Sequence, residues 1–164
     1  MNELMQNFIE SLREELRQYG ELLALLDVQR EQVVRRLADE LTETVTAINA
    51  QGEVIRAARL ERAQRQRELA RSLLMPDETL INKLIPALPE VYRPLISALV
   101  EENNQLLTRV QQRARQNHIL LSRSLELMGQ FINSFCAIGV PTYNDSGNLA
   151  KVPVPARTFY EALG

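Results

Sequence analysis

Residues 94–136 read PLISALVEENNQLLTRVQQRARQNHILLSRSLELMGQFINSFC. The spacing predicts one amphipathic helix of roughly 42 residues, about 63 Å long at 1.5 Å per residue. Leu99, Leu106, Val110, Leu120, Leu127 and Phe131 occupy positions of a heptad seam. The seam positions between them are Asn103, Arg113, Asn117 and Ser124, so polar residues interrupt the stripe on its own face. After Cys136 the chain changes character, into GVPTYNDSG at 139–147.

The rest of the chain suits such a helix. Its 164 residues are enough for one domain with a modest core. Aromatics are 5% and tryptophan is absent, which fits a bundle filled with Leu, Val, Ile and Ala better than a sheet. The first 70 residues hold Gly20 and Gly52 and no proline, so very long helices are permitted.

Residues 3–37 place apolar side chains at steps of three and four, from Leu4 and Phe8 through Leu12, Leu16, Tyr19 and Leu26 to Leu37. That is a helix with a broad buried face. A break is expected at Ala38-Asp39-Glu40, with Asp39 as N-cap. A second helix is expected over 40–74, on a seam of Leu41, Val45, Ile48, Gly52, Ile55, Arg59, Arg62, Gln66, Leu69 and Leu73. Its middle is polar. Arg56, Arg59, Arg62, Arg65, Arg67 and Arg71 read either as a solvated face or as a basic strip for an acidic partner segment.

Met75-Pro76-Asp77-Glu78 stops that helix. Asp77 is the expected N-cap of a short helix carrying Leu80, Ile81, Leu84 and Ile85, ended by Pro86. The expected architecture is all-α: an elongated antiparallel bundle or coiled coil of three long helices and one short one, with an irregular C-terminal tail. Residues 1–138 form the bundle domain and 139–164 a flexible tail. In that tail Val152-Pro153-Val154-Pro155 is expected to be extended. Phe159, Tyr160 and Leu163 follow on a segment too short to be stably helical alone. The tail is expected to act as an exchangeable lid, or to associate with a second copy.

Several chemistries have no footing. The net charge of −2 gives no global basic field, so nucleic acid is not the expected partner. The longest apolar run, Leu22 to Leu26, is far short of the ~20 residues that span a bilayer. The acidic start lacks a signal-peptide n-region, and a lone Cys136 fits a reducing cytoplasm. His118 is the one histidine. It has no Glu-x-x-His partner, and no base accompanies Cys136. No catalytic residue, metal or cofactor is expected.

What remains is helix surface. A bundle with broken seams leaves grooves that accept an amphipathic partner helix. The apolar side chains of the long helix, Leu106, Val110, Leu120, Leu121, Leu127, Met128, Phe131 and Phe135, exceed what one short neighbour covers and form the candidate partner site. Asn103 and Asn117 have two roles open: fixing register inside the bundle, or hydrogen-bonding a partner, for which Asn117 is included in the site.

Arg115-Gln116-Asn117-His118-Ile119-Leu120-Leu121 followed by Glu126 resembles the late part of the last long helix in the FlgN family of flagellar export chaperones. Pro141-Thr142-Tyr143 with Gly147 resembles that family's turn, Asn144 standing where glycine is frequent. The resemblance covers roughly residues 15–147. It implies a cytoplasmic chaperone that holds the C-terminal amphipathic helices of the hook–filament junction proteins FlgK and FlgL. It also implies delivery to an export-gate membrane protein, with Tyr143 helping to dock there. The competing reading is a structural coiled-coil scaffold, which calls for an uninterrupted apolar seam.

Overall fold

The computed structural model describes residues 1–138, with side chains for residues 1–130. The order is α1 (Asn2–Arg35), α2 (Ala38–Ser72), α3 (Ile81–Leu84), a 3₁₀ turn (Ile85–Ala87) and α4 (Arg93–Ile138). Among the described residues three long helices and a short one make an all-α fold, as the periodicity predicts. Contacts divide the chain into one compact unit, Met1–Arg123, and a second, Ser124–Gly164, whose described part is the end of α4. The turn at 139–147, Tyr143 and the proposed tail lie outside the described residues.

Within the first unit α1 and α2 pack as an antiparallel hairpin. The lower apolar cluster joins Met5, Phe8, Ile9 and Leu12 of α1 to Leu69 of α2, Leu88, and Ile96 and Leu99 of α4. The upper cluster is smaller: Tyr19, Leu26, Ile55 and Val110. Burying a side chain of this size contributes about 1.5–3 kcal/mol, so the lower cluster carries most of the hydrophobic stability.

Two helix boundaries differ from expectation. α1 ends in a left-handed Arg36, φ 59°. The Leu37 amide returns to the Gln32 carbonyl at 3.0 Å and the Arg36 amide to Val33 at 3.2 Å, a Schellman closure. Leu37 therefore takes the N-cap position of α2 without a side-chain bond. Asp39 lies in the first turn, where its charge favours the helix dipole, and is not the cap.

α2 closes the same way. Leu74 is left-handed at φ 57°, and the Met75 amide reaches the Ala70 carbonyl at 2.9 Å. Asp77 does not cap α3, whose N-cap position is Leu80. Instead its carboxylate accepts from Arg71 Nε at 2.8 Å. The guanidinium across the corner holds the Asp77 carboxyl below its ordinary value. Pro86 does not end the short helix but sits at the start of the 3₁₀ turn, where its missing N–H costs nothing.

Leu74 is 96% exposed, so its side chain contributes no burial to offset a left-handed backbone. That conformation costs an L-residue about 1–2 kcal/mol, and glycine escapes it at some cost in unfolded-chain entropy. Leu74→Gly is expected to raise the unfolding free energy by about 0.5–1 kcal/mol in urea titration. A loss of stability would show instead that the leucine packs against something.

Candidate partner-binding helix

α4 is positioned by α1 through two asparagines. Asn103 Nδ2 donates to the Leu12 carbonyl at 3.0 Å and to its own helix at Leu99, 2.9 Å. Asn117 Nδ2 donates to the Leu26 carbonyl at 2.7 Å and to Gln29 Oε1 at 2.8 Å. Both asparagine-to-carbonyl steps span 91 residues, so α1 and α4 run parallel in one register over two heptads. Arg113, between the two asparagines on α4, pairs with Asp27, one residue past Leu26 on α1.

Both asparagines are buried, Asn117 completely. Their Oδ1 atoms, and the buried Gln32 Oε1, accept no hydrogen bond. The amide nitrogens are therefore spent inside the bundle, where they fix register, and in the free chain Asn117 exposes no group.

A polar layer separates the two clusters. The buried Glu15 carboxylate accepts from Arg62 Nε at 2.9 Å and from the Tyr19 hydroxyl at 2.8 Å. Arg59 Nε stands 3.9 Å away. Arg62 also donates to Gln66, whose amide continues to the Thr79 carbonyl at 2.7 Å. Burial, and then the Glu15 hydrogen bond, push the Tyr19 phenol above its ordinary range.

The arginine run is therefore largely consumed within the chain. Arg62 pairs inward, Arg56 with Glu53, Arg65 with Glu61 and Glu68, and Arg71 with Asp77. Neither a free basic strip nor a purely solvated face describes it. The signal was present in the seam itself: Glu15 falls between Leu12 and Tyr19 at steps of three and four, opposite seam arginines.

The candidate site residues separate into groups. Val110 is buried in the upper cluster, and Leu106 packs half-buried against it. Leu120 and Leu121 are half-buried. Leu127 and Met128 are each 64% exposed, and Leu125, absent from the sequence-based set, is 69% exposed. Phe131 and Phe135 lie on α4 beyond the described side chains, and Tyr143 beyond the described residues. His118 is exposed. A shallow groove between α1 and α4 is lined by Asp27, Arg109, Gln112 and Arg113, too charged for an apolar ligand.

Among the described residues no group of three His, Cys, Asp or Glu could hold a metal ion. No helix among them is long and apolar enough to cross a membrane. α4 is a long helix tied to α1 by Asn103 and Asn117, and its Leu125, Leu127 and Met128 are exposed. A family model described as FlgN protein matches residues 1–151. The chain belongs to the FlgN family. The match takes in all of α1, α2 and α4, a wider span than the quoted motifs. FlgN proteins are flagellar export chaperones, and this helical chain carries that general role. No curated protein and no solved structure matches significantly.

The Glu15–Arg62 pair is the polar contact on which the hairpin middle rests. Arg62→Met is expected to cost about 3 kcal/mol, the low end for breaking a buried pair, since Arg62 keeps 21% of its side chain exposed. Removing both charges, in Glu15→Leu with Arg62→Met, is expected to recover most of that loss in urea titration. No recovery in the double variant would mean that packing, not charge, sets the cost.

Proposed function

We propose that this FlgN-family chain is a cytoplasmic chaperone for the hook–filament junction proteins FlgK and FlgL. It binds their C-terminal amphipathic helices on α4 and delivers them to the export gate. The observation that supports this reading is the exposure of Leu125, Leu127 and Met128 on one continuous helix. After Glu126 the sequence of α4 has no charged residue, and it continues with Phe131 and Phe135. A run of exposed large apolar side chains marks a binding surface. On a helix, the matching partner is another helix with its own apolar face.

A scaffold reading fits less well. A spacer coiled coil gains nothing from Asn103, Arg113, Asn117 and Ser124 in its seam, or from uncovered leucines.

Leu127→Asp with Met128→Asp is the direct test. Both side chains are exposed, so the unfolding free energy is expected to change by under about 0.5 kcal/mol. Calorimetric titration with a FlgK C-terminal peptide is expected to show at least a hundredfold loss of affinity, with helicity by circular dichroism unchanged. Undiminished binding would remove α4's outer face as the site.

The family resemblance of Pro141-Thr142-Tyr143 supports a second contact, with Tyr143 docking on the export gate. Tyr143→Ala is expected to leave peptide affinity intact and to weaken binding to the gate's cytoplasmic domain at least tenfold. Loss of both, together with a lower melting temperature, would make Tyr143 a packing residue.

A further inference from the structure

α2 is two different helices in one. Residues 38–58 contain seven β-branched side chains, Thr42, Thr44, Val45, Thr46, Ile48, Val54 and Ile55, together with Asn49 and Gly52. Residues 59–72 contain none of these types and are built from Arg, Glu, Gln, Leu and Ala with a final serine. The first half has poor intrinsic helix propensity and the second half has high propensity. Thr42 and Thr46 also bond back to the Ala38 and Thr42 carbonyls, both at 3.1 Å, a pattern that weakens and bends helices.

The two halves are anchored as unequally as they are composed. The second half holds Leu69 and Ala70 in the lower core, and ties to Glu15, Thr79 and Asp77. The first half buries only Thr44 and Ile55 among its side chains. Among the described residues, its side-chain hydrogen bonds to another element come from Gln51, to the Gln18 carbonyl and Oε1. The α1–α4 contact beneath it stands without it, on Asn117 with Leu26 and Gln29 and on Arg113 with Asp27.

We propose that residues 38–58 of α2 are a displaceable cover over the upper α1–α4 groove, and that an amphipathic helix takes their place. The occupant is the apolar face of an export-substrate helix, so the inference rests on the chaperone reading above. It explains why Leu106 and Val110, which share a cluster with Ile48 and Ile55 of α2, are apolar yet partly or wholly covered. It also gives a use to the two buried acceptors at this level, Asn117 Oδ1 and Gln32 Oε1, which accept no hydrogen bond. A helix carrying Gln, Asn or Arg at the edge of its apolar face supplies donors to these two oxygens, which the donors of α2, Gln51 among them, do not reach. The incoming helix replaces weak apolar contacts by stronger ones, while the lower core and the polar layer stay closed.

Hydrogen exchange on the full chain reads the cover directly. In the free protein, amides of residues 44–56 are expected to exchange at least tenfold faster than those of 63–71. With a synthetic FlgK C-terminal helix peptide bound, residues 22–33 and 106–121 are expected to gain protection and 44–56 to lose it. Equal protection of the two halves in the free chain, or added protection of 44–56 in the complex, overturns the proposal.

A second variant reads the coupling. A Cβ at Gly52 meets nothing within 4 Å, and Thr46 is exposed. Gly52→Ala with Thr46→Ala therefore stabilises the cover without touching the groove. It is expected to weaken peptide affinity about five- to tenfold in calorimetric titration. If the wild-type chain binds the peptide and the variant binds equally well, the cover is wrong and the chaperone reading stands. If the wild-type chain does not bind at all, both fall.

Discussion

Two side-chain amides decide how this chain is arranged. Asn103 and Asn117 each reach across to a carbonyl of α1, and both do so over the same interval of 91 residues. Apolar seams alone tolerate sliding, because a leucine makes similar contacts one heptad away. A buried amide does not, since leaving it unpaired costs about 1–3 kcal/mol. The Gln29 side chain sharpens this further, because the Asn117 amide meets a particular residue there and not only a repeating backbone. The register of α4 on α1 follows from these bonds. The places of Leu106 and Val110 against α1 follow from that register.

The second constraint is the Glu15–Arg62 layer, which lies between the two apolar clusters. A charged pair in a helical core is a poor source of net stability. Its effect here is to make the bundle non-uniform. Below it, eight buried apolar residues from every part of the first unit converge. Above it, four do. Sequence and packing agree on this asymmetry, for the half of α2 with weak helix formers is also the half with little to pack against.

Much of this was legible in the sequence. From Leu99 to Leu120 the heptad seam of α4, including Asn103, Arg113 and Asn117, is the seam the structure uses, whereas Ser124 and Leu127 further along it are exposed. Three long helices with one short helix, among the described residues, follow from the spacing. The boundaries were less legible. Asp39 and Asp77 look like caps because aspartate is good at capping, yet both corners close through left-handed Arg36 and Leu74. Neither residue type advertises that conformation. The arginines of α2 were visible, but their partners sit on another helix, and Glu15 had to be read across the seam from Arg62. Burial was least legible: Val110 and Met128 are both apolar residues on one helix, and only the position of α1 and α2 covers the first. Leu125, missed from the sequence, is exposed as well.

The hairpin also bears on how the chain finds its fold. Joining α1 directly to α4 closes a loop of 91 residues. Once α2 has folded back along α1, its end at Ser72 lies beside the start of α1, and the remaining connection to Arg93 spans residues 73–92. Loop entropy scales with the logarithm of length, so this shortening is worth about 1.3 kcal/mol, or nearly tenfold in the rate of closure. It also replaces one distant search by two short ones, the situation in which helical chains fold fastest. α2, the helix with the most polar seam, thus earns its place as a guide for the helix that arrives last.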